Sequence, residues 1–196
     1  IWEAHKEIWK KHSIVLDDNE MSEHNGRSFK DALIIWEKKY GIKMDLDEYS
    51  KQVFKVEKKL MQKEFAPKAG IIKLLKQLQQ NNVLMGLGTS SHKERAERIV
   101  KALNVSKFFS VLVSYEDIKA HKPNPEVFLT VAKSLKVAPE QCVVIEDAPN
   151  GIDAAKNAGM KSIGIITEFH SMNDLKKADL IIENFSEINF KKIQKL

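Results

Sequence analysis

Three short segments of this 196-residue chain place hydroxyl, lysine and carboxylate side chains where apolar runs end or helices begin. Thr89 and Ser90 follow the apolar run VLMGLG, and Lys122 lies in AHKPNPEVF. Glu146 and Asp147 end the run QCVVIED. Hydroxyls at a helix amino terminus bind phosphate, lysine neutralises it, and paired carboxylates suit Mg²⁺. Together these residues predict a phosphate-handling site that uses a magnesium ion.

The hydroxyl segment predicts a helix amino terminus beside two free hydroxyls. Ser91 is followed three residues later by Glu94, which is the pattern of a capping box. The exposed amides of such a helix end, together with Thr89 and Ser90, would bind a phosphate. The alternative is that these residues only cap the helix.

The acidic pair predicts a metal site at the end of a buried strand. Two adjacent carboxylates at the edge of an apolar core are costly to desolvate unless a cation or hydrogen-bond donors compensate them. Mg²⁺ bound by Asp147 and Glu146 would supply that compensation. The alternative is that Asp147 caps the next helix while Glu146 is solvated.

Lys122 differs from the many other lysines because a proline follows it. That proline restricts the backbone of Lys122, and Asn124 with Pro125 predicts the start of a helix. A lysine fixed in this way could neutralise a phosphate oxygen or an acidic nucleophile. The alternative is an ordinary surface lysine.

From Ala66 onward, short apolar runs alternate with amphipathic helical patterns. This alternation predicts a doubly wound, Rossmann-like α/β domain over residues 66–196, with a parallel sheet covered on both faces. The ligand site of such a sheet lies at the carboxyl ends of its strands. We expect helices near 71–78, 92–103, 125–135 and 151–158, and strands in VLMGLG, FFSVLVS, QCVVIED, KSIGIIT and ADLIIEN.

Residues 1–65 carry helical patterns only and predict a separate small helical domain. Helices are expected over 1–12, 28–40 and 46–64, the second ended by Gly41. Aromatic residues at helical spacing usually pack in a core. The residues expected to pack inside this bundle are Trp2, Trp9 and Trp36.

The composition of the chain indicates which partners and which cellular compartment to expect. The net charge of +5 comes from lysines spread among glutamates, without an arginine-rich block, so a nucleic-acid site is not expected. No apolar run is long enough for a membrane span. The single cysteine, Cys142, cannot form a disulfide within the chain and fits a reducing cytoplasm. We expect a cytoplasmic protein, monomeric or weakly dimeric, whose partner is a small phosphorylated metabolite.

These segments resemble the haloacid dehalogenase superfamily, in the branch of phosphoglycolate phosphatase-like enzymes and β-phosphoglucomutases. LGTSS resembles the second motif of the family and makes Thr89 its phosphate-binding hydroxyl. HKPNPEVF resembles the third motif, with Lys122 as its lysine. VVIEDAPNGIDAAKNAG is similar to the fourth, with Glu146 and Asp147 as the magnesium-binding pair. The helical residues 1–65 resemble the α-helical cap domain of this branch.

The resemblance also implies a first motif, which this chain does not contain. In the family it is a strand that ends in an aspartate, one residue, and a second aspartate. The first aspartate attacks phosphorus and the second acts as general acid and base. Asp17 and Asp18 cannot substitute, because they lie between predicted cap helices. We expect a stretch of about fifteen to twenty residues before Ile1 that carries this motif, on a strand between those ending at Thr89 and Asp147.

The resemblance implies a Mg²⁺-dependent phosphatase that acts through an aspartyl-phosphate intermediate, with Thr89 and Lys122 as its catalytic residues in this chain. The chain alone is expected to be inactive. A sugar-phosphate mutase and an inactive phosphate-binding domain are the alternatives. A dehalogenase is disfavoured because attack on a C–Cl bond requires no metal. Arg27 is a candidate for substrate contact, with an ordinary surface arginine as its alternative.

Overall fold

Only helices make up the described secondary structure before residue 61. The computed structural model describes residues 2–17, 20, 29–60 and 66–196. The chain divides into two compact units, Ile1–Phe65 and Ala66–Leu196. The helices of the first unit are α1 (Trp2–Lys10), α2 (Phe29–Tyr40) and α3 (Leu46–Leu60).

Aromatic side chains form the centre of the helical unit. Trp9 and Trp36 are fully buried, and their rings meet edge to face with centroids 5.7 Å apart. The Tyr49 hydroxyl accepts a hydrogen bond of 3.0 Å from Trp9 Nε1 and lies 2.5 Å from Nδ1 of the buried His5. The predicted burial of Trp9 and Trp36 is confirmed, whereas the side chain of Trp2 lies outside the described residues.

The second unit alternates helices and strands, and every strand pair in it is parallel. This confirms the predicted α/β fold, although each strand is shorter than the apolar run that contains it. Its elements are α4 (Ile71–Gln80), β1 (Gly86–Gly88), α5 (Lys93–Ala102), β2 (Val111–Val113), α6 (Glu126–Leu135), β3 (Val143–Glu146), α7 (Pro149–Asn157), β4 (Lys161–Ile165), β5 (Leu180–Ile182) and α8 (Phe190–Ile193).

The strand β3 is covered on both faces, as the apolar run predicts. Val144 packs in one cluster with Ala155 of α7. Val143 and Ile145 point the other way and pack against a cluster that includes Leu74 of α4. Alternate side chains of a strand face opposite sides of the sheet, so this short strand joins two apolar layers.

The strands form two separate parallel sheets, ordered β1-β2 and β3-β4-β5. Within the described residues, β1 pairs only with β2, and β3 pairs only with β4. A cavity of 490 Å³ is lined by both free edges, Gly86–Gly88 and Val143–Glu146, and by apolar side chains of α4 and α6. An unpaired buried backbone group costs about 1–3 kcal/mol. The arrangement leaves room for the further strand expected between these edges, which stays a prediction.

Two expectations from composition concern the cysteine and the membrane. Cys142 is a free thiol, and burial raises its pKa. None of the helices described above combines the length and the apolar character needed to cross a membrane.

The buried hydrogen bonds of Tyr49 generate a prediction for the helical unit. Tyr49→Phe removes the hydroxyl that accepts from Trp9, which leaves a buried indole N–H without this acceptor. The free energy of unfolding should fall by about 1–3 kcal/mol. Urea unfolding followed by tryptophan fluorescence measures the change. Tyr115→Phe, which removes a hydroxyl from a ring in the other unit, is the control and should leave that transition unchanged.

Candidate active site

The acidic pair lies at the junction of β3 and α7. Glu146 is the last residue of β3, and Ala148, one residue after Asp147, is the amino-terminal cap of α7 without a side-chain hydrogen bond. The Glu146 side chain is only 9% exposed. The alternative in which Asp147 caps the helix and Glu146 is solvated is therefore wrong.

Lys122 and Glu146 form a buried ion pair. Lys122 Nζ donates to Oε1 of Glu146, and the two side chains are 7% and 9% exposed. The other carboxylate oxygen, Oε2, accepts the backbone N–H groups of Asp147 at 2.8 Å and Ala148 at 3.2 Å. Lys122 Nζ also lies 4.8 Å from the ring centroid of Phe128, a favourable cation–π distance. Both oxygens of Glu146 are thus engaged.

The two carboxylates of the pair have opposite pKa shifts. Burial opposes ionisation of Glu146, but the charge and hydrogen bond of Lys122 and the amide of Asp147 outweigh it, so the pKa of Glu146 is lowered. Burial, followed by the negative charge of Glu146, raises the pKa of Asp147 to about 6. Asp147 is therefore the carboxylate whose charge is under-compensated by the protein.

An under-compensated, half-buried carboxylate beside a charged one fits a divalent cation. Mg²⁺ is commonly held by one or two carboxylates, with water and phosphate oxygens completing its six ligands. Asp147 can supply one such oxygen, and Glu146 lies next to it. Among the described residues no cluster of three or more His, Cys, Asp or Glu side chains forms a metal site. The remaining ligands of a bound Mg²⁺ ion would therefore have to be groups other than these described side chains.

The hydroxyl segment follows β1. Thr89 donates its backbone N–H to the Val113 carbonyl at 2.9 Å, and its Oγ1 accepts the N–H of Ser91 at 3.1 Å. Ser90 lies between them in the same loop. Gly88 and Glu146 line the same cavity, so the carboxyl ends of β1 and β3 meet around it.

The predicted capping box in this segment is wrong. The helix α5 begins at Lys93, whose N–H is accepted by both carboxylate oxygens of Glu116, at 3.0 and 3.3 Å. The hydroxyl of Ser91 instead accepts a hydrogen bond from the guanidinium group of Arg95. A carboxylate distant in sequence thus caps the helix in place of the local pair Ser91 and Glu94.

The loop that carries Lys122 is tied down on both sides. The Lys122–Pro123 peptide bond is cis. Downstream, Asn124 Oδ1 accepts the N–H of Glu126 at 3.0 Å. The Glu126 carboxylate reaches back to accept the N–H groups of Lys119 at 3.1 Å and Ala120 at 2.8 Å. These bonds fix the loop at the start of α6, as the prolines and Asn124 predict.

Sequence reasoning missed a row of three rings beside these loops. The rings of Tyr115 and His121 stack with centroids 4.2 Å apart, and His92 contacts Tyr115 at 4.9 Å. No periodicity links these positions, because His92 lies just before α5 whereas Tyr115 and His121 lie in the connection between β2 and α6. Only the fold brings them together.

Of the charged residues that the sequence analysis named in the helical unit, the structure describes Asp17 only. Asp17 Oδ1 accepts the N–H of Glu20 at 2.8 Å in the segment after α1, which is a local turn contact. Asp18 and Arg27 lie outside the described residues.

Comparison with known proteins agrees with the fold. A family model described as haloacid dehalogenase-like hydrolase matches residues 1–165. Validoxylamine A 7'-phosphate phosphatase of Streptomyces hygroscopicus subsp. limoneus is 30% identical over 188 residues, 96% of this chain and 87% of that protein. Beta-phosphoglucomutase of Bacillus subtilis (strain 168) is 36% identical over 119 residues, 61% of this chain and 50% of that protein.

Solved structures give the same result. A beta-phosphoglucomutase from Clostridium difficile superposes with a TM-score of 0.87 at 28% identity, covering 99% of this chain and 87% of that one. A HAD hydrolase of family IA from Entamoeba histolytica gives 0.85 at 25% identity, covering 98% and 89%. The motifs, the parallel α/β fold and these matches agree, and the chain belongs to the haloacid dehalogenase-like hydrolase family.

Proposed function

We propose that the working protein is a Mg²⁺-dependent phosphohydrolase that acts on a small phosphomonoester through an aspartyl-phosphate intermediate. One observation carries the proposal: a buried lysine–glutamate pair next to an under-compensated aspartate, at the carboxyl end of a parallel strand. This is the place in a doubly wound fold where ligands bind. A cytoplasmic location suits the free thiol of Cys142.

The nucleophile is proposed to be an aspartate on a strand upstream of Ile1 that lies between β1 and β3. Two facing strand edges and the cavity between them support this position. The carboxylate oxygen of that aspartate forms a bond to phosphorus as the ester P–O bond breaks, and the leaving alcohol takes a proton. Water then attacks the aspartyl phosphate, which releases orthophosphate and regenerates the carboxylate.

The residues of this chain would bind and orient the phosphoryl group. Thr89 and Ser90, with the amides of their loop, would hold its oxygens. Lys122 would neutralise negative charge between nucleophile and phosphate, held in place by Glu146. Mg²⁺, bound through Asp147 with Glu146 beside it, would supply electrostatic stabilisation of the charge on the phosphoryl oxygens. The helical unit would act as the cap that selects the substrate.

A sugar-phosphate mutase is the second candidate, favoured by the close structural match to a beta-phosphoglucomutase. The two activities differ in whether water or a sugar hydroxyl takes the phosphoryl group. An inactive phosphate-binding domain is the third, and it requires that no nucleophile be supplied.

The natural full-length protein should be characterised first by intact mass and amino-terminal sequence. It should then release orthophosphate from a panel of sugar phosphates and other small phosphomonoesters, and EDTA should abolish the release. Conversion of one sugar phosphate into its isomer without free orthophosphate would indicate the mutase. Binding of orthophosphate without turnover of any substrate would contradict both enzymatic proposals.

Replacement of Lys122 should lower both the free energy of unfolding and the phosphatase activity. Lys122→Met leaves the Glu146 charge buried without its partner, and breaking a buried pair in this way costs about 3–5 kcal/mol. The double variant Lys122→Met, Glu146→Gln should recover most of this loss in thermal unfolding, yet remain inactive. Lys133→Met, on the exposed face of α6, is the matched control and should change neither property. Full activity in Lys122→Met would refute the role of this lysine.

Asp147→Asn should remove Mg²⁺ binding without lowering the thermal stability of the protein. The folded pKa of Asp147, about 6, lies above its ordinary value of 3.8, so ionisation destabilises the fold as pH rises through this window. Without metal, the variant should therefore melt at the same or a higher temperature than wild type at pH 8. Added Mg²⁺ should raise the midpoint of wild type only, and turnover of the variant should be lost. Asp153→Asn, the same change at another aspartate on α7, is the control and should keep both the response to Mg²⁺ and turnover. Retained Mg²⁺-dependent turnover in Asp147→Asn would exclude Asp147 as the metal ligand.

A further inference from the structure

The Glu146 carboxylate lies directly against the backbone of Gly151, the third residue of α7. A Cβ atom built at position 151 would lie 2.2 Å from both Cδ and Oε1 of Glu146 and 2.6 Å from its Cγ. Non-bonded carbon atoms attract best at about 3.5–4.0 Å. Any side chain at position 151 therefore occupies the space that the carboxylate uses now.

Neither backbone can move aside cheaply. Glu146 is held in β3 by its pairing with Gly164 of β4. Gly151 is buried in the first turn of α7, where its N–H donates to the Ala148 carbonyl at 3.0 Å. The Glu146 side chain would have to give way instead, and it would lose its contact with Lys122.

The backbone itself does not require a glycine at position 151. Its φ is not in the left-handed region, unlike that of Gly159 at +73° just after the same helix. Alanine is the better helix former at such a position. The glycine is thus explained by the carboxylate that packs on it and not by local chain conformation.

We propose that Gly151 is a positioning residue that gives Glu146 the space to hold Lys122 at the phosphate site. Gly151 does not contact the substrate and acts only through this pair. The catalytic part of the inference rests on the proposed phosphohydrolase function, whereas the steric part does not.

A double-mutant cycle tests the steric part in the natural full-length protein. The variants are Gly151→Ala, Glu146→Asp and their combination. Aspartate is one methylene shorter and withdraws its carboxylate from position 151. Gly151→Ala should lower the thermal midpoint by at least about 4 °C in the wild-type background and by much less in the Glu146→Asp background.

Gly159→Ala is the matched control at the other end of α7. Its Cβ would meet nothing within 4 Å, so its cost comes from the positive φ alone. Glu146→Asp should not relieve that cost. The proposal would be overturned if Gly151→Ala lowered the thermal midpoint equally in both backgrounds. It would also be overturned if Glu146→Asp reduced the destabilisation by Gly159→Ala as much as that by Gly151→Ala.

Turnover tests the catalytic part. A reactive group displaced by about 1 Å can cost about a hundredfold in rate, so kcat of Gly151→Ala should fall by that order. In the Glu146→Asp background, the addition of Gly151→Ala should lower kcat by a much smaller factor. An unchanged kcat in Gly151→Ala would refute the positioning role. A wild-type protein without phosphatase activity would refute the proposed function, while the thermal cycle would still decide the steric proposal.

Discussion

The buried ion pair between Lys122 and Glu146 is the constraint on which the site depends. It connects the loop before α6 to the end of β3, and both side chains are nearly excluded from water. In that environment neither charge is tolerated without the other. The pairing also contributes to the state of Asp147, because burial and then the charged Glu146 beside it raise the pKa of Asp147. In the proposed function, this one interaction would hold the Lys122 ammonium group at the phosphate and leave the neighbouring Asp147 carboxylate for a metal ion.

The strand β3 supports this pair, because Glu146 is its last residue. Among the described strands β3 pairs with β4, and its other edge borders the 490 Å³ cavity where the proposed upstream strand would lie. Its apolar side chains nonetheless pack into clusters on both faces, with α4 on one side and α7 on the other. The end of the strand is therefore held by side-chain packing and, in the part of the chain that the structure describes, by its pairing with β4. The amides that receive Glu146 follow directly from that end.

Much of this arrangement could be predicted from the sequence, because apolar runs and turn residues are local signals. The alternation after Ala66 predicts the parallel fold, and the end of QCVVIED places the acidic pair correctly. The capping box at Ser91 was wrong because the Ser91 hydroxyl accepts from Arg95, while Glu116, distant in sequence, accepts the N–H of Lys93 at the start of the helix. The contact of Glu146 with Gly151 could not be predicted either, since it depends on how the side chain folds back over the helix.

The close approach of Glu146 to Gly151 also limits how this chain can diverge in evolution. The two positions share one volume, so a larger residue at position 151 displaces the carboxylate unless a shorter residue stands at position 146. Relatives that keep glutamate at the first position should keep glycine at the second. Relatives with a larger residue in place of the glycine should carry aspartate or a smaller side chain in place of the glutamate. The pair should therefore vary jointly in an alignment, although five residues separate the two positions along the chain.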